Sequence, residues 1–222
     1  MDLDYFKIDE EGFELIRDIY SRVIKVFKTN KIIVIGGAAA KLTCDFTRPV
    51  KDIDIVIPPV YLYNVSESRI IKNYFNGIFE GNKLEILIDN NTRVEIECTS
   101  KHCGNLNKTI GLPAYTENNP TVLGINLNTV LKKSYFININ GTKIRVSAPV
   151  HQIIMKYNLW LFRGKEQYTN QKDANDIKKL IKTFYPNINI FLEKEAAEIK
   201  LSNMAKPFNI FSEDIKKICL IN

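Results

Sequence analysis

The sequence predicts a mixed α/β or α+β fold, a small mixed β-sheet core with flanking helices, followed by a C-terminal helical region. Three observations predict it. Short runs rich in Ile and Val alternate with helical periods over the first two-thirds of the 222 residues, and after Pro149 only helical periods remain. Turn-forming residues sit between paired strand-like runs, at Asp89 to Asn91 and at Asn140-Gly141. The change of character near Ala148 divides the chain into an expected core domain with its N-terminal helix, 1–148, and a helical domain packed on it, 149–222.

From Asp9 to Lys28 the apolar residues Phe13, Ile16, Ile19, Tyr20, Val23 and Phe27 recur at helical spacing. "KIIVIGG", Lys31 to Gly37, reads as a short apolar strand stopped by glycine, and "AAAKL" as the start of a helix. "VKDIDIVI", Val50 to Ile57, reads as a strand that Pro58 and Pro59 terminate. Glu67 to Phe79 has the apolar spacing of a helix, and Lys83 to Asp89 and Arg93 to Thr99 form a hairpin. Lys101 to Pro120, rich in Gly, Asn and Pro, reads as a long loop. Tyr135 to Pro149 is a second hairpin, turning at Asn140-Gly141. "HQIIMKYNLWLFRG", "KDANDIKKLIKTFY", "FLEKEAAEIKLSNMA" and "SEDIKKICLI" complete the helical third.

Composition narrows the function classes. Lys and Arg outnumber Asp and Glu by 31 to 25, a formal charge of +6 with a pI of about 9.0, which favours anionic partners such as nucleotides or RNA. The N-terminal residues lack the basic and apolar regions of a secretory signal, and no apolar run approaches the roughly 20 residues of a membrane helix. Cys44, Cys98, Cys103 and Cys219 have no disulfide-framework spacing. The expected address is the cytoplasm, with no membrane partner.

The chemistry concentrates in two strands. Residues two apart in a strand share a face, so Asp52 and Asp54 present two carboxylates side by side while Ile53 and Ile55 face the other way. "RVEIE" repeats the device with Glu95 and Glu97. If these strands are neighbours, like charges converge, and at least one carboxyl pKa rises unless a cation compensates. Carboxylate oxygens suit Mg²⁺, which also takes substrate phosphates. Gly36 and Gly37, between a strand and a helix start, let backbone approach a ligand and turn helix N–H groups toward an anion. A phosphate-binding turn beside a carboxylate metal site implies phosphoryl or nucleotidyl transfer.

The run Gly36, Gly37, Ala39, Leu42, Arg48, Asp52, Asp54 resembles the polymerase-beta-like nucleotidyltransferase superfamily, in particular its small stand-alone branch with the abortive-infection toxin type and microbial and fungal relatives. A second segment of that branch, a lysine-bearing helix, an arginine and then "KD…D", is matched by Lys156, Arg163, Lys172, Asp173 and Asp176. The resemblance covers Ile32 to Ile181. Thr43 to Asp45 and Val50 depart from its usual residues, and Glu95 stands where Asp is more usual. The resemblance implies a nucleotidyltransferase core that moves an NMP from an NTP such as ATP to a hydroxyl, with release of pyrophosphate. It implies that Asp52, Asp54 and Glu95 hold two Mg²⁺ ions and carry catalysis, and that Gly36, Gly37, Arg48 and Lys156 bind phosphate. The acceptor that the resemblance leads one to expect is an RNA or tRNA 3′ end or a protein side chain. A non-catalytic nucleotide- or partner-binding module, and an enzyme acting on a small molecule such as an antibiotic, are the alternatives.

Structural roles compete for several of these residues. Glu97 competes with Glu95, which is favoured by its place between Val94 and Ile96. Arg48 either pairs with the carboxylates or touches substrate, and Lys156 is either an exposed lysine or a phosphate ligand. Asp173 and Asp176, three apart on a helix, either pair with Arg163 or Lys179 or reach a base. Cys98, His102 and Cys103 with a distant Cys44 make a poor zinc set, and His151 reads as structural.

Overall fold

The structure is a computed structural model, which describes residues 10–44, 52–57, 78–80, 83–87, 93–98, 121–163, 171–202 and 204–220. The side chains of 10–12, 52, 78–80, 83–87, 93–98 and 171 lie outside that description. The chain divides into two compact units, one holding the elements up to residue 98 together with 131–147, the other holding 121–130 and everything from Ala148 onward.

The first unit is built on a seven-stranded sheet. Its strands are β1 (Ile33–Ile35), β2 (Asp52–Ile57), β3 (Ile78–Glu80), β4 (Lys83–Leu87), β5 (Arg93–Cys98), β8 (Tyr135–Ile139) and β9 (Thr142–Val146), in the order β3-β4-β5-β2-β1-β9-β8. The sheet is mixed: β2 runs parallel to β5 and β1 parallel to β9, while the other pairs are antiparallel. The mixed sheet expected from the alternating runs is present. Its central strands bury one face against α1 (Glu10–Phe27) and α2 (Gly36–Thr43). Ile53, Ile55 and Ile57 share a core with Phe13, Ile16, Tyr20 and Val23 of α1 and with Ala38, Ala39 and Leu42 of α2.

Period-2 alternation thus puts Ile53, Ile55 and Ile57 inside and Asp54 on the opposite side of the same strand. Tyr20 pins α1 to the residue before β1 and to β9: its hydroxyl donates to the Ile32 carbonyl at 3.3 Å and accepts from the Arg145 N–H at 3.1 Å. Burial raises the Tyr20 pKa above its ordinary value and keeps that hydroxyl a donor. The β8–β9 hairpin turns where expected, with Asn140 at φ 46° and Gly141 at φ 83°, the pair of left-handed residues that a type I′ turn requires.

Two local expectations are corrected. Ile78 and Phe79, read as the end of a helix, lie in β3, where the ladder to β4 pairs Ile78 with Glu85 and Phe79 with Leu84. The tertiary ladder overrides a helical apolar spacing, because paired backbone supplies its own partners. Gly36 and Gly37, read as the end of the first strand, open α2 instead. The rest of that expected helix, Glu67 to Gly77, and the loop from Lys101 to Pro120 lie outside the described residues.

The second unit begins with a short hairpin of β6 (Thr121–Val122) and β7 (Ile125–Asn126), turning through Leu123 and Gly124 in left-handed conformations. Asn126 caps the following α3 (Leu127–Lys133), which runs on into the first unit from Leu131, accepting from the N–H groups of Asn128 at 2.9 Å and Thr129 at 3.3 Å. Then come α4 (Pro149–Phe162), α5 (Gln171–Phe184), α6 (Ile188–Lys194), α7 (Ala196–Leu201) and α8 (Phe208–Leu220). Pro149 begins α4, where a missing N–H costs nothing. Tyr157 and Phe211 meet edge-on at 4.8 Å between ring centres, inside a core that includes Ile177, Leu180 and Phe191. Among the described residues no helix is long and apolar enough to cross a membrane.

Candidate active site

β1 is three residues long and fully buried, and the chain must leave it at once to start α2. Gly36 makes that turn at φ +66°, a region that side chains with a Cβ rarely adopt. The turn has a second requirement. A Cβ on Gly36 would fall on Oδ2 of Asp54 and stand 3.1 Å from its Cγ. The carboxylate of Asp54 therefore sits against the glycine, in the space that any other residue would fill. Register explains the approach, since antiparallel pairing sets Ile35 opposite Asp54. Ile35, the residue before α2, has an extended backbone and contributes no side-chain cap, and the first turn carries no acid. The positive end of the helix dipole thus opens beside a half-buried carboxylate.

On the other side of β2, parallel pairing sets Glu95 level with Asp54, Arg93 level with Asp52 and Glu97 level with Val56. β4 continues the row, because Glu85 pairs with Glu95. Three acidic positions thus run across three adjacent strands. Of the two glutamates weighed from sequence, Glu95 is the one at the level of Asp54. Glu85, absent from the sequence-based set, was visible only as an acid in a strand-like run, and its position needs the ladder. The side chains of Asp52, Glu85, Glu95 and Glu97, and the whole of Arg48, lie outside the described residues, as do Cys98 Sγ, His102 and Cys103. Among the described residues no group of three His, Cys, Asp or Glu side chains gathers as a metal set.

The second unit disposes of its charges differently. Lys156, expected as an exposed lysine or a phosphate ligand, is only 5% exposed. Its Nζ lies 2.7 Å from Asp176 Oδ2 and 3.4 Å from Asp173 Oδ1. Arg163 completes the group, donating to Asp173 Oδ2 at 2.6 Å. The pairing with Arg163 was one of the two roles open to Asp173. His151 is fully buried with Nε2 2.7 Å from Glu198 Oε1, a structural place for that ring. Tyr157 donates to Asp214 Oδ2 at 2.9 Å, and burial, reinforced by that carboxylate, pushes its pKa well above the usual tyrosine value. Asn158 joins the β6–β7 turn to the segment before α8, donating to Leu123 O at 2.7 Å and accepting from Ala205 N–H at 3.3 Å.

The Asp54 carboxylate beside the glycine turn is a hard oxygen donor, the chemistry that suits Mg²⁺ rather than a thiolate-seeking metal. The close seat of Asp54 on Gly36 leaves backbone, not side chain, next to that donor.

No family model matches the sequence, and no curated protein does. Several solved structures are similar. The lincosamide antibiotic adenylyltransferase LnuA in its lincomycin-bound form shares 15% identity, over 79% of this chain and 99% of its own, with a TM-score of 0.44. An antigenic nucleotidyltransferase-like protein from Paracoccidioides brasiliensis shares 16%, over 93% and 92%, with a TM-score of 0.49. JHP933 from Helicobacter pylori shares 13%, over 96% and 92%, with a TM-score of 0.41. All three likenesses are loose, and the chemistry of the site is carried by its own residues.

Proposed function

We propose that this chain is a nucleotidyltransferase that moves an NMP from an NTP to a hydroxyl acceptor. One observation carries the reading: the Asp54 carboxylate seats against the left-handed Gly36 at the start of α2, with Glu95 level with it on the next strand. A glycine that admits a carboxylate on one side and opens a helix on the other brings a cation site and an anion site together.

Asp52, Asp54 and Glu95 are assigned as the metal-holding carboxylates. The backbone N–H groups at Gly36 and Gly37 are assigned to the triphosphate, with Arg48 as its side-chain partner. Two Mg²⁺ ions held there would offset phosphate charge and favour both the attacking and the leaving oxygen of an in-line displacement. Glu95 accepts the proton of the acceptor hydroxyl, that oxygen bonds to the α-phosphorus, and the bond from the α-phosphorus to the bridging oxygen breaks to release pyrophosphate. The expected phosphate contact of Lys156 would compete with Asp176, 2.7 Å from its ammonium. The acceptor class that the basic composition favours is RNA, ahead of a protein side chain.

The test is label transfer. The full chain is incubated with Mg²⁺, each α-labelled NTP in turn, and total RNA or lysate protein. Transfer of label to one acceptor class, with equimolar pyrophosphate and loss of both in Asp54→Asn, is the expected result. Tight NTP binding with no transfer to any acceptor would instead make the chain a nucleotide-binding module.

A further inference from the structure

Folding redistributes the charge of the helical unit. Asp173, Asp176, Glu198 and Asp214 are all buried, engaged by Lys156, Arg163, His151 and Tyr157. The lysines of the same helices, Lys156 apart, stay exposed or half-buried. Among the described residues, the surface of these helices is therefore more basic than their formal charge suggests.

α5 is the sharpest case. With 3.6 residues per turn, Lys172, Lys178, Lys179 and Lys182 fall within an arc of about 140° and along about 15 Å of the helix. Asn175 and Thr183 share that arc, and no acid does. Asp173, Ile177, Leu180 and Ile181 occupy the opposite arc, Asp176 stands at its border, and all five are buried. The helix thus separates its charges by side, acids inward against cations of its own unit and lysines outward.

We propose that this lysine stripe docks an RNA strand through its phosphates. A row of cations meets the repeating charge of a nucleic-acid backbone without reading sequence. A protein partner is disfavoured, because the stripe offers no apolar or aromatic anchor, and interfaces concentrate their energy in such anchors. A membrane surface is disfavoured too. The apolar side of α5 is buried in its own unit, while interfacial helices put that side into lipid. As a seat for the acceptor the stripe rests on the nucleotidyl-transfer reading; as a phosphate-binding surface it stands without it.

The experiment measures binding of the full chain to a fluorescent, mixed-sequence, single-stranded RNA across a salt series, with no NTP or divalent cation. Removing two phosphate contacts flattens the slope of log affinity against log salt by about 1.4, at roughly 0.7 per contact for a single strand. Lys179→Gln with Lys182→Gln is expected to show that loss, and Lys→Arg at both positions to restore it. Lys25→Gln with Lys31→Gln removes the same net charge from exposed positions of the other unit and is expected to leave the slope as it was. Equal slopes in all these proteins overturn the stripe, as does absence of RNA binding by the unaltered chain. Polyglutamate that binds as tightly, with the same dependence on Lys179 and Lys182, overturns it in favour of an acidic protein partner. Lysine-dependent binding without label transfer from NTP supports the stripe while the catalytic reading fails. Undiminished label transfer to RNA in the Lys179→Gln/Lys182→Gln protein retains catalysis and overturns the stripe as the seat of the acceptor, while the salt series decides the stripe as a phosphate-binding surface.

Discussion

The two units handle carboxylates in opposite ways. In the helical unit Asp173 and Asp176 are buried within reach of Lys156 and Arg163, each acid meeting a cation of the same unit. In the sheet unit the ladder sets acid level with acid, Asp54 with Glu95 and Glu95 with Glu85, and one carboxylate rests against a glycine. The first arrangement pairs each acid with a cation, whereas the second aligns acidic positions with one another along neighbouring strands, where the proposed function would place a cation.

That contrast is broken or sharpened by substitution. Asp54→Asn is expected to lower label transfer on the order of 10³-fold, the scale of losing a group that acts on the reacting atoms. Its unfolding free energy in urea should move by less than about 1 kcal/mol, as for a residue outside the core network. A large stability loss with transfer intact would reverse the assignment. Lys156→Met tests the other side. It leaves Asp173 and Asp176 short of a buried cation and is expected to cost about 3–5 kcal/mol in urea unfolding. A neutral result would mean that the pair is dispensable to the fold.

Gly36→Ala lies between these cases, since it meets both the positive φ and the Asp54 carboxylate. About 1–2 kcal/mol of stability is expected from the backbone conformation, with transfer lost beyond what that explains. Retention of full transfer would show that Asp54 needs no glycine beside it.

Tyr157→Phe has the smallest expected effect, about 1 kcal/mol at neutral pH, from the hydrogen bond to Asp214. Because the folded pKa of Tyr157 is raised above the ordinary 10.0, its contribution is fully present below that value and is lost as pH rises beyond it. Urea unfolding followed from pH 8 upward should fall more steeply in the unaltered chain than in Tyr157→Phe.

The frame around the candidate site was legible in residues whose role is local. The alternation of Asp52, Ile53, Asp54 and Ile55 fixed which side of β2 is core, and Asn140-Gly141 fixed a hairpin, because pleat and turn chemistry act over a few residues. What escaped depends on partners far along the chain. Ile78 and Phe79 carry a helical spacing, yet β4 claims them. Lys156 reads as one more lysine on an amphipathic helix until α5 supplies two aspartates to bury it. Glu85 becomes a neighbour of the site only through the order of β4, β5 and β2. The separation of α5 into a basic and an acidic side is written in its period, but which side faces inward is set by the core.

The position of β1 has a consequence for synthesis. It lies between β2 and β9, and β9 arrives more than a hundred residues later. Until then one rim of an Ile-Val-Ile strand has no hydrogen-bonding neighbour in the sheet, and pairing over so long a separation is slow. A nascent chain released before residue 142 would carry that rim exposed, an invitation to edge-to-edge association. The β8–β9 hairpin, with its tight Asn140-Gly141 turn, is suited to closing it quickly once it leaves the ribosome.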